Sequence, residues 1–109
     1  MNQLSEQAQL RVADIRRRFI ENLPELIQQL KSDAQKGDAE SIERLQGTAH
    51  RLVGSAGTFG LKAVSTAGME LERRIRACAS EHDTLKAIGV LEQALNTDMS
   101  NLPGVSSDK

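Results

Sequence analysis

The chain has no tryptophan, no tyrosine and only two phenylalanines, Phe19 and Phe59. Its core therefore has to be assembled from Leu, Ile, Val, Ala and Met, and with only two prolines that composition favours packed helices. A single cysteine, Cys78, excludes a disulfide framework and a thiolate zinc site. The two histidines, His50 and His82, are not spaced as a metal-binding pair on one helix, so no metal site is expected. There is no excess of basic charge: 14 Lys and Arg stand against 15 Asp and Glu, which speaks against nucleic acid as a ligand. The Arg runs at Arg16, Arg17 and Arg18 and at Arg73, Arg74 and Arg76 read as solvated helix faces. No apolar run approaches the roughly 20 residues that span a bilayer, and no signal peptide opens the chain, so a soluble, cytoplasmic protein without membrane contact is expected. Neither a Walker loop nor a G-x-G-x-x-G after a strand is present, and without a nucleotide site the chain is not expected to be a kinase or a stand-alone enzyme.

What is present is helical periodicity. A first apolar stripe runs Leu4, Ala8, Val12, Ile15, Phe19, Leu23, then Leu26 or Ile27, and Leu30, in steps of three and four. Pro24 interrupts the hydrogen-bond ladder there but not the stripe, and Asn22 is placed to cap a fresh start, so two collinear helices or one kinked helix are predicted over 4–35. Gly37 closes this segment and Asp38 caps the next, whose stripe is Ile42, Leu45, Ala49, Leu52, Ala56 and Phe59, ended by Gly60. A third stripe follows at Leu61, Val64, Gly68, Leu71, Ile75 and Cys78, with Gly68 small enough for a close helix approach and Cys78 reading as a core residue. Asp83 is the expected cap of the last helix, whose stripe is Leu85, Ile88, Leu91 or Glu92, Leu95, Met99 and Leu102. Nothing suggests a strand. The fold predicted is all-α: an antiparallel up-down four-helix bundle over 1–100 with an additional short or kinked N-terminal helix, and a disordered tail over 101–109.

Against this background the stretch A-H-R-L-V-G-S-A-G-T-F-G at 49–60 is unusual. Each glycine inside a helix costs about 1 kcal/mol relative to alanine, yet Gly47, Gly54 and Gly57 surround His50. On a helical projection the imidazole lies roughly 130° from the apolar centre of its stripe and faces water. Gly47 (three before), Gly54 (four after) and Gly57 (seven after) fall on the same face. Side chains are thus pared away around one exposed imidazole, leaving room for another protein to come down flat upon it. A neutral imidazole nitrogen is a nucleophile. No Ser-His-Asp or Cys-His set is evident, whereas a covalent carrier needs only the imidazole, positive charge nearby and access. Arg51 and Lys62 are the candidate sources of that charge.

The stretch resembles the signature of histidine-containing phosphotransfer (HPt) domains, roughly A-H-x-L-K-G-S-x-x-x-x-G, matched by Ala49, His50, Leu52, Gly54, Ser55 and Gly60. M-E-L-E-R-R-I at 69–75 is similar to the family's helix after the signature, with Leu71 and Glu72 in place, and F-I-E-N-L-P-E-L-I-Q-Q-L is similar to its Phe-Leu-x-x-Leu-Pro entry. The resemblance runs over about residues 10–100 and implies that His50 is a phosphoryl acceptor. Phosphoryl groups would pass reversibly between His50 and the aspartate of a response-regulator receiver domain, downstream of a histidine kinase or hybrid kinase. It implies that the chain itself carries no cofactor and that Mg²⁺ belongs to the receiver. Gly54 would leave room for docking, and Gly60 would mark the turn.

One position departs from the pattern: the lysine three residues after the histidine is here Val53. A cation near the phosphoryl oxygens is thereby lost, and Arg51 can take over part of its role, although less suitably placed on the helix. The expected phosphate environment is thus Arg51, Val53 and Lys62, and the expected docking surface an apolar patch with a polar ring including Gln46, Gly47, Arg51, Val53, Gly54 and Gly57. The polar surface and closed bundle predict a monomer. A second reading stays open, in which the same face docks a signalling partner as a non-catalytic helical adaptor and His50 is never phosphorylated.

Overall fold

The computed structural model describes residues 5–101. Four helices follow one another in it: α1 (Glu6–Lys36), α2 (Ala39–Thr58), α3 (Lys62–Arg76) and α4 (Glu81–Asn101), with no strand among the described residues. They pack in a ring, α1 on α2, α2 on α3, α3 on α4 and α4 back on α1, joined by short turns, which makes the expected all-α bundle. The bundle's last helix ends one residue beyond the expected boundary at 100. The tail reading for 102–109, like Leu4 and Leu102 of the stripes, lies outside the described residues.

The two segments predicted on either side of Pro24 are one unbroken helix. Ser5 caps it, its hydroxyl accepting from the Ala8 N–H at 3.1 Å, and Asn22 starts nothing. Pro24 sits on the exposed side of α1, off the buried line of Leu23, Ile27 and Leu30, and the helix runs through it. Gly37 ends the helix in the left-handed conformation (φ +70°), its N–H bonded to the Asp33 carbonyl.

Only the second half of the α1 stripe is core. Leu23, Ile27, Leu30 and Ala34 are buried, whereas Val12 and Ile15 are exposed. The reason is length. At 1.5 Å per residue α1 is roughly 46 Å long and α2 roughly 30 Å, and α2 already turns where Phe59 meets Phe19, ring centroids 5.5 Å apart, and accepts from Arg16 Nε on its carbonyl at 3.1 Å. Residues before Arg16 extend past that turn.

The turns explain two further departures from expectation. The α2–α3 turn is a Schellman motif with Gly60 at φ +78°, the Leu61 N–H reaching the Ala56 carbonyl at 2.8 Å. The α3–α4 turn has the same pattern, Cys78 N–H to the Ile75 carbonyl and Ala79 N–H to the Arg74 carbonyl, both 3.0 Å, and puts Cys78 at φ +59°. Cys78 is therefore exposed and not a core residue, because α3 stops at Arg76 before the stripe reaches it. The cap of α4 is Ser80, not Asp83: its hydroxyl accepts from the Asp83 N–H at 3.1 Å.

The core face of α4 is Thr84, Ala87, Ile88, Leu91, Ala94 and Asp98, rotated from the predicted line, with Leu85 and Leu95 at its edge. Glu92 leaves that line to pair with Lys31 of α1 at 2.8 Å. Two buried carboxylates fasten the bundle. Asp98 accepts from the Ala63 and Val64 N–H groups at 3.2 and 2.8 Å, capping α3 from a neighbouring helix where Leu61 offers no side-chain acceptor. Asp33 of α1 is fully buried and accepts from Arg44 of α2 and from Gln29. No described helix is long and apolar enough to cross a membrane.

Candidate functional site

The buried face of α2 (Leu45, Thr48, Ala49, Leu52, Ala56) leaves His50 on the outside of the helix, with 74% of its side chain exposed. The ring is nevertheless held. Its Nδ1 lies 2.7 Å from Oε2 of Glu72, a residue of α3 that is 6% exposed. The same Oε2 accepts from Arg76 Nη2 at 2.8 Å, one helical turn further along α3. A buried carboxylate is tolerated only with such partners.

This geometry assigns the imidazole nitrogens. An ionised carboxylate only accepts, so the neutral ring carries its proton on Nδ1 and donates it to Glu72. Nε2 is then the nitrogen with the free lone pair, on the ring edge turned away from Glu72. The arrangement makes a nucleophile of fixed tautomer backed by a negative charge. Among the described residues no group of three or more His, Cys, Asp or Glu is placed to hold a metal ion.

The seam between α2 and α3 owes its closeness to Gly68. A Cβ there would stand 2.9 Å from both Leu52 Cδ2 and Val53 Cγ2, nearer than van der Waals contact permits. Val53 is accordingly half-buried and turned to α3 over that glycine, while Ser65 donates to the Val53 carbonyl at 3.3 Å. The close approach brings Glu72, four residues after Gly68, up to His50.

Gln46 and Gly47 line a shallow hollow beside His50 with Glu43, Glu72 and Arg76. Gly54 and Gly57 are exposed in line with them; a Cβ on Gly54 would meet nothing within 4 Å, and one on Gly57 would make ordinary contact with Ser65 Oγ. Apart from Gly47 the hollow is lined by polar and charged residues, and Met69, one turn before Glu72 on α3, is an exposed apolar side chain.

Neither of the two expected cations is bonded to His50. The Arg51 guanidinium lies back along α2, 3.5 Å from Thr48 Oγ1 and beside Gly47, where a Cβ would stand 3.5 Å from its Nη1, and it also lines the hollow that holds Phe19 and Leu26 of α1. Lys62 stands in the groove between α3 and α4 with Thr66, Gln93 and Thr97. Among the described residues Arg76 is the one cation lining the hollow beside His50.

Sequence reasoning placed Glu72 in a family pattern without giving it a part in the site, and passed over Arg76 as a solvated face. A signal existed: Glu72 directly follows the stripe residue Leu71, at the border of the buried face, and has Arg at i+4. What no spacing within one helix discloses is that this border of α3 abuts the His50 face of α2, 22 residues away in the chain.

No curated protein and no solved structure matches the chain. A family profile does: that of the Hpt domain, over residues 14–102, which takes in the four-helix bundle from the third turn of α1 onward and with it His50, Glu72 and Arg76. Hpt domains are phosphocarriers of phosphorelay signalling and not kinases, and this chain belongs to the Hpt domain family.

Proposed function

We propose that the chain carries a phosphoryl group on Nε2 of His50, accepting it from the aspartyl phosphate of a receiver domain and returning it to such an aspartate. The observation that carries this reading is the hydrogen bond of 2.7 Å between Nδ1 and Glu72 beneath an otherwise exposed ring. In the forward step the Nε2 lone pair forms the N–P bond as the P–O bond to the receiver aspartate breaks, and that carboxylate leaves with the electron pair. The ring becomes a phospho-imidazolium whose proton stays on Nδ1, where the ionised Glu72 offsets the positive charge. The reverse step needs no proton from solvent. Mg²⁺ and the remaining polar groups belong to the receiver, and a histidine kinase or hybrid kinase supplies the relay from upstream.

Docking uses the side of α2 around His50. Gly54 and Gly57 offer no side chain to hold a partner away, Gln46 and Gly47 border the hollow, and Val53 with Met69 supplies apolar contact. Such a surface is smaller than that of a permanent complex, as a carrier that must release each partner requires. The chain acts as a monomer in the cytoplasm.

The test is transfer from phosphorylated receiver domains to the wild-type chain and to His50→Gln, with binding of the same receivers measured alongside. Loss of transfer with binding retained supports the carrier reading. A wild-type chain that binds receivers yet takes no phosphoryl group from any of them is an adaptor.

A further inference from the structure

We infer that the end of the bundle away from Phe59 holds a binding site for a small organic amine with an apolar body. α1 runs to Lys36, α2 starts at Ala39, α3 stops at Arg76 and α4 starts at Glu81, so four helix ends meet at this pole. They do not fill it. A cavity of about 430 Å³ opens between them, within the range of roughly 300–1,000 Å³ usual for small-molecule sites. Residue size is the reason: Ala34, Gly37 and Ala79 line it where longer side chains would close the gap. The cavity shares no lining residue with the hollow beside His50, so the inference does not depend on the carrier reading.

The lining says which ligand fits. Leu45 is fully buried, Ala34 and Ile75 are nearly so, and with Ile42 they make an apolar wall. Such a wall takes an apolar body in preference to water. Glu81 is the one charged residue among those lining the cavity, and its carboxylate forms no ion pair among the described residues. Other carboxylates of the bundle already hold cations: Asp33 has Arg44, Glu70 has Arg73 and Arg74, and Glu92 has Lys31. The helix dipoles leave the sign to Glu81. Two C-termini, of α1 and α3, and two N-termini, of α2 and α4, meet at the pole and offset one another. An apolar wall with one unpaired carboxylate therefore selects an apolar body with a cationic head, and it repels an acid of the same shape.

The test is titration of the ¹⁵N-labelled chain with phenylbutylamine, phenylbutanol and phenylbutyrate, which share one apolar body and differ in head-group charge. The amine should shift the amide resonances of Leu45, Ile75 and Ala79 saturably. It should bind about threefold more tightly than the alcohol, as for one solvent-screened ion pair, with the acid weakest. Glu81→Gln should bring the amine down to the affinity of the alcohol. Ala79→Leu, which adds bulk at a half-buried lining position, should abolish binding of all the probes while the helical circular dichroism is kept. Cys78 is exposed and lines the cavity, so its alkylation by N-ethylmaleimide should slow severalfold in saturating amine. The inference is overturned if the amine gives no saturable shift at these residues, or if the acid binds as tightly as the amine. Unchanged amine affinity in a folded Ala79→Leu chain overturns it as well, as do shifts confined to the groove of Lys62 and Val90 between α3 and α4.

Discussion

Glu72 accepts from Nδ1 of His50 at 2.7 Å, a buried carboxylate of α3 holding an exposed imidazole of α2. This one contact fixes which nitrogen is protonated and which is free, and it puts a negative charge where the phosphorylated ring becomes positive. A hydrogen bond to a charged group contributes about 1.5–3 kcal/mol, which is a factor of roughly ten to a hundred in rate if it is made mainly in the transition state.

Glu72→Gln should therefore accept phosphoryl from phosphoramidate about ten- to a hundredfold more slowly than wild type. Its amide oxygen still accepts from Nδ1, so the tautomer should persist while the charge is gone. Labelling rates by intact mass spectrometry, set beside His50 ¹⁵N shifts, separate the two contributions. An unchanged rate would leave Glu72 a merely structural residue.

Gly68→Ala tests the seam that brings the two residues together. A Cβ at 2.9 Å from Leu52 and Val53 forces α2 and α3 apart or drives side chains off their rotamers, and such overpacking costs about 1–3 kcal/mol. Denaturant unfolding should show that loss, and Val53→Ala in the same chain should recover part of it. Additive effects of the two substitutions would mean that Val53 and Gly68 do not pack as described.

Much of the fold was legible because a bundle writes its packing into helical spacing. Leu23, Leu30, Leu45, Leu52 and Leu71 fall on the predicted stripes and are buried. His50 was legible as exposed, and Gly68 as a point of close approach, for the same reason. Periodicity has no information on where a helix ends relative to its neighbours. Val12 and Ile15 continue a perfect stripe into solvent because α2 has already turned, and Cys78 continues another into a left-handed turn. Nor does spacing report which helix a carboxylate serves. Asp98 caps α3 from α4, and Glu72 serves α2 from α3, both through contacts made only on folding.

Cys78 occupies a conformation that costs an L-residue with a Cβ about 1–2 kcal/mol and that glycine adopts freely. Allowing for the extra chain entropy of glycine, Cys78→Gly should stabilise the protein by about 0.5–1 kcal/mol, visible as a higher Tm. Its thiol lies away from His50, so labelling with phosphoramidate should be the same as in wild type. A lower Tm would contradict the Schellman turn assigned to residues 74–79.

Glu70 provides a pH test. The Arg73 and Arg74 side chains, both bonded to it at 2.7 Å, hold its carboxyl at about 2, down from 4.5. A depressed folded value means that its contribution to stability is complete above pH 4.5 and is lost as pH falls toward 2. The side chain is 41% exposed and solvent screens its ion pairs, so the effect on stability is small and the titration is the better readout. The Glu70 side-chain carboxyl ¹³C resonance should remain that of the ionised form at pH 3.5. In a chain carrying Arg73→Ala and Arg74→Ala it should titrate near the ordinary glutamate value, and no upward movement there would refute the ion-pair cluster.

The central claim is that the Nδ1–Glu72 bond leaves Nε2 of His50 as the phosphoryl acceptor, and ¹⁵N-histidine NMR of the phosphoramidate-treated chain tests it most directly. The predicted spectrum shows one phosphorylated histidine, His50, with phosphorus coupled to Nε2 and the proton on Nδ1, and no phosphorylated species in His50→Gln. Phosphorylation at Nδ1, or at His82 with His50 untouched, would contradict the account.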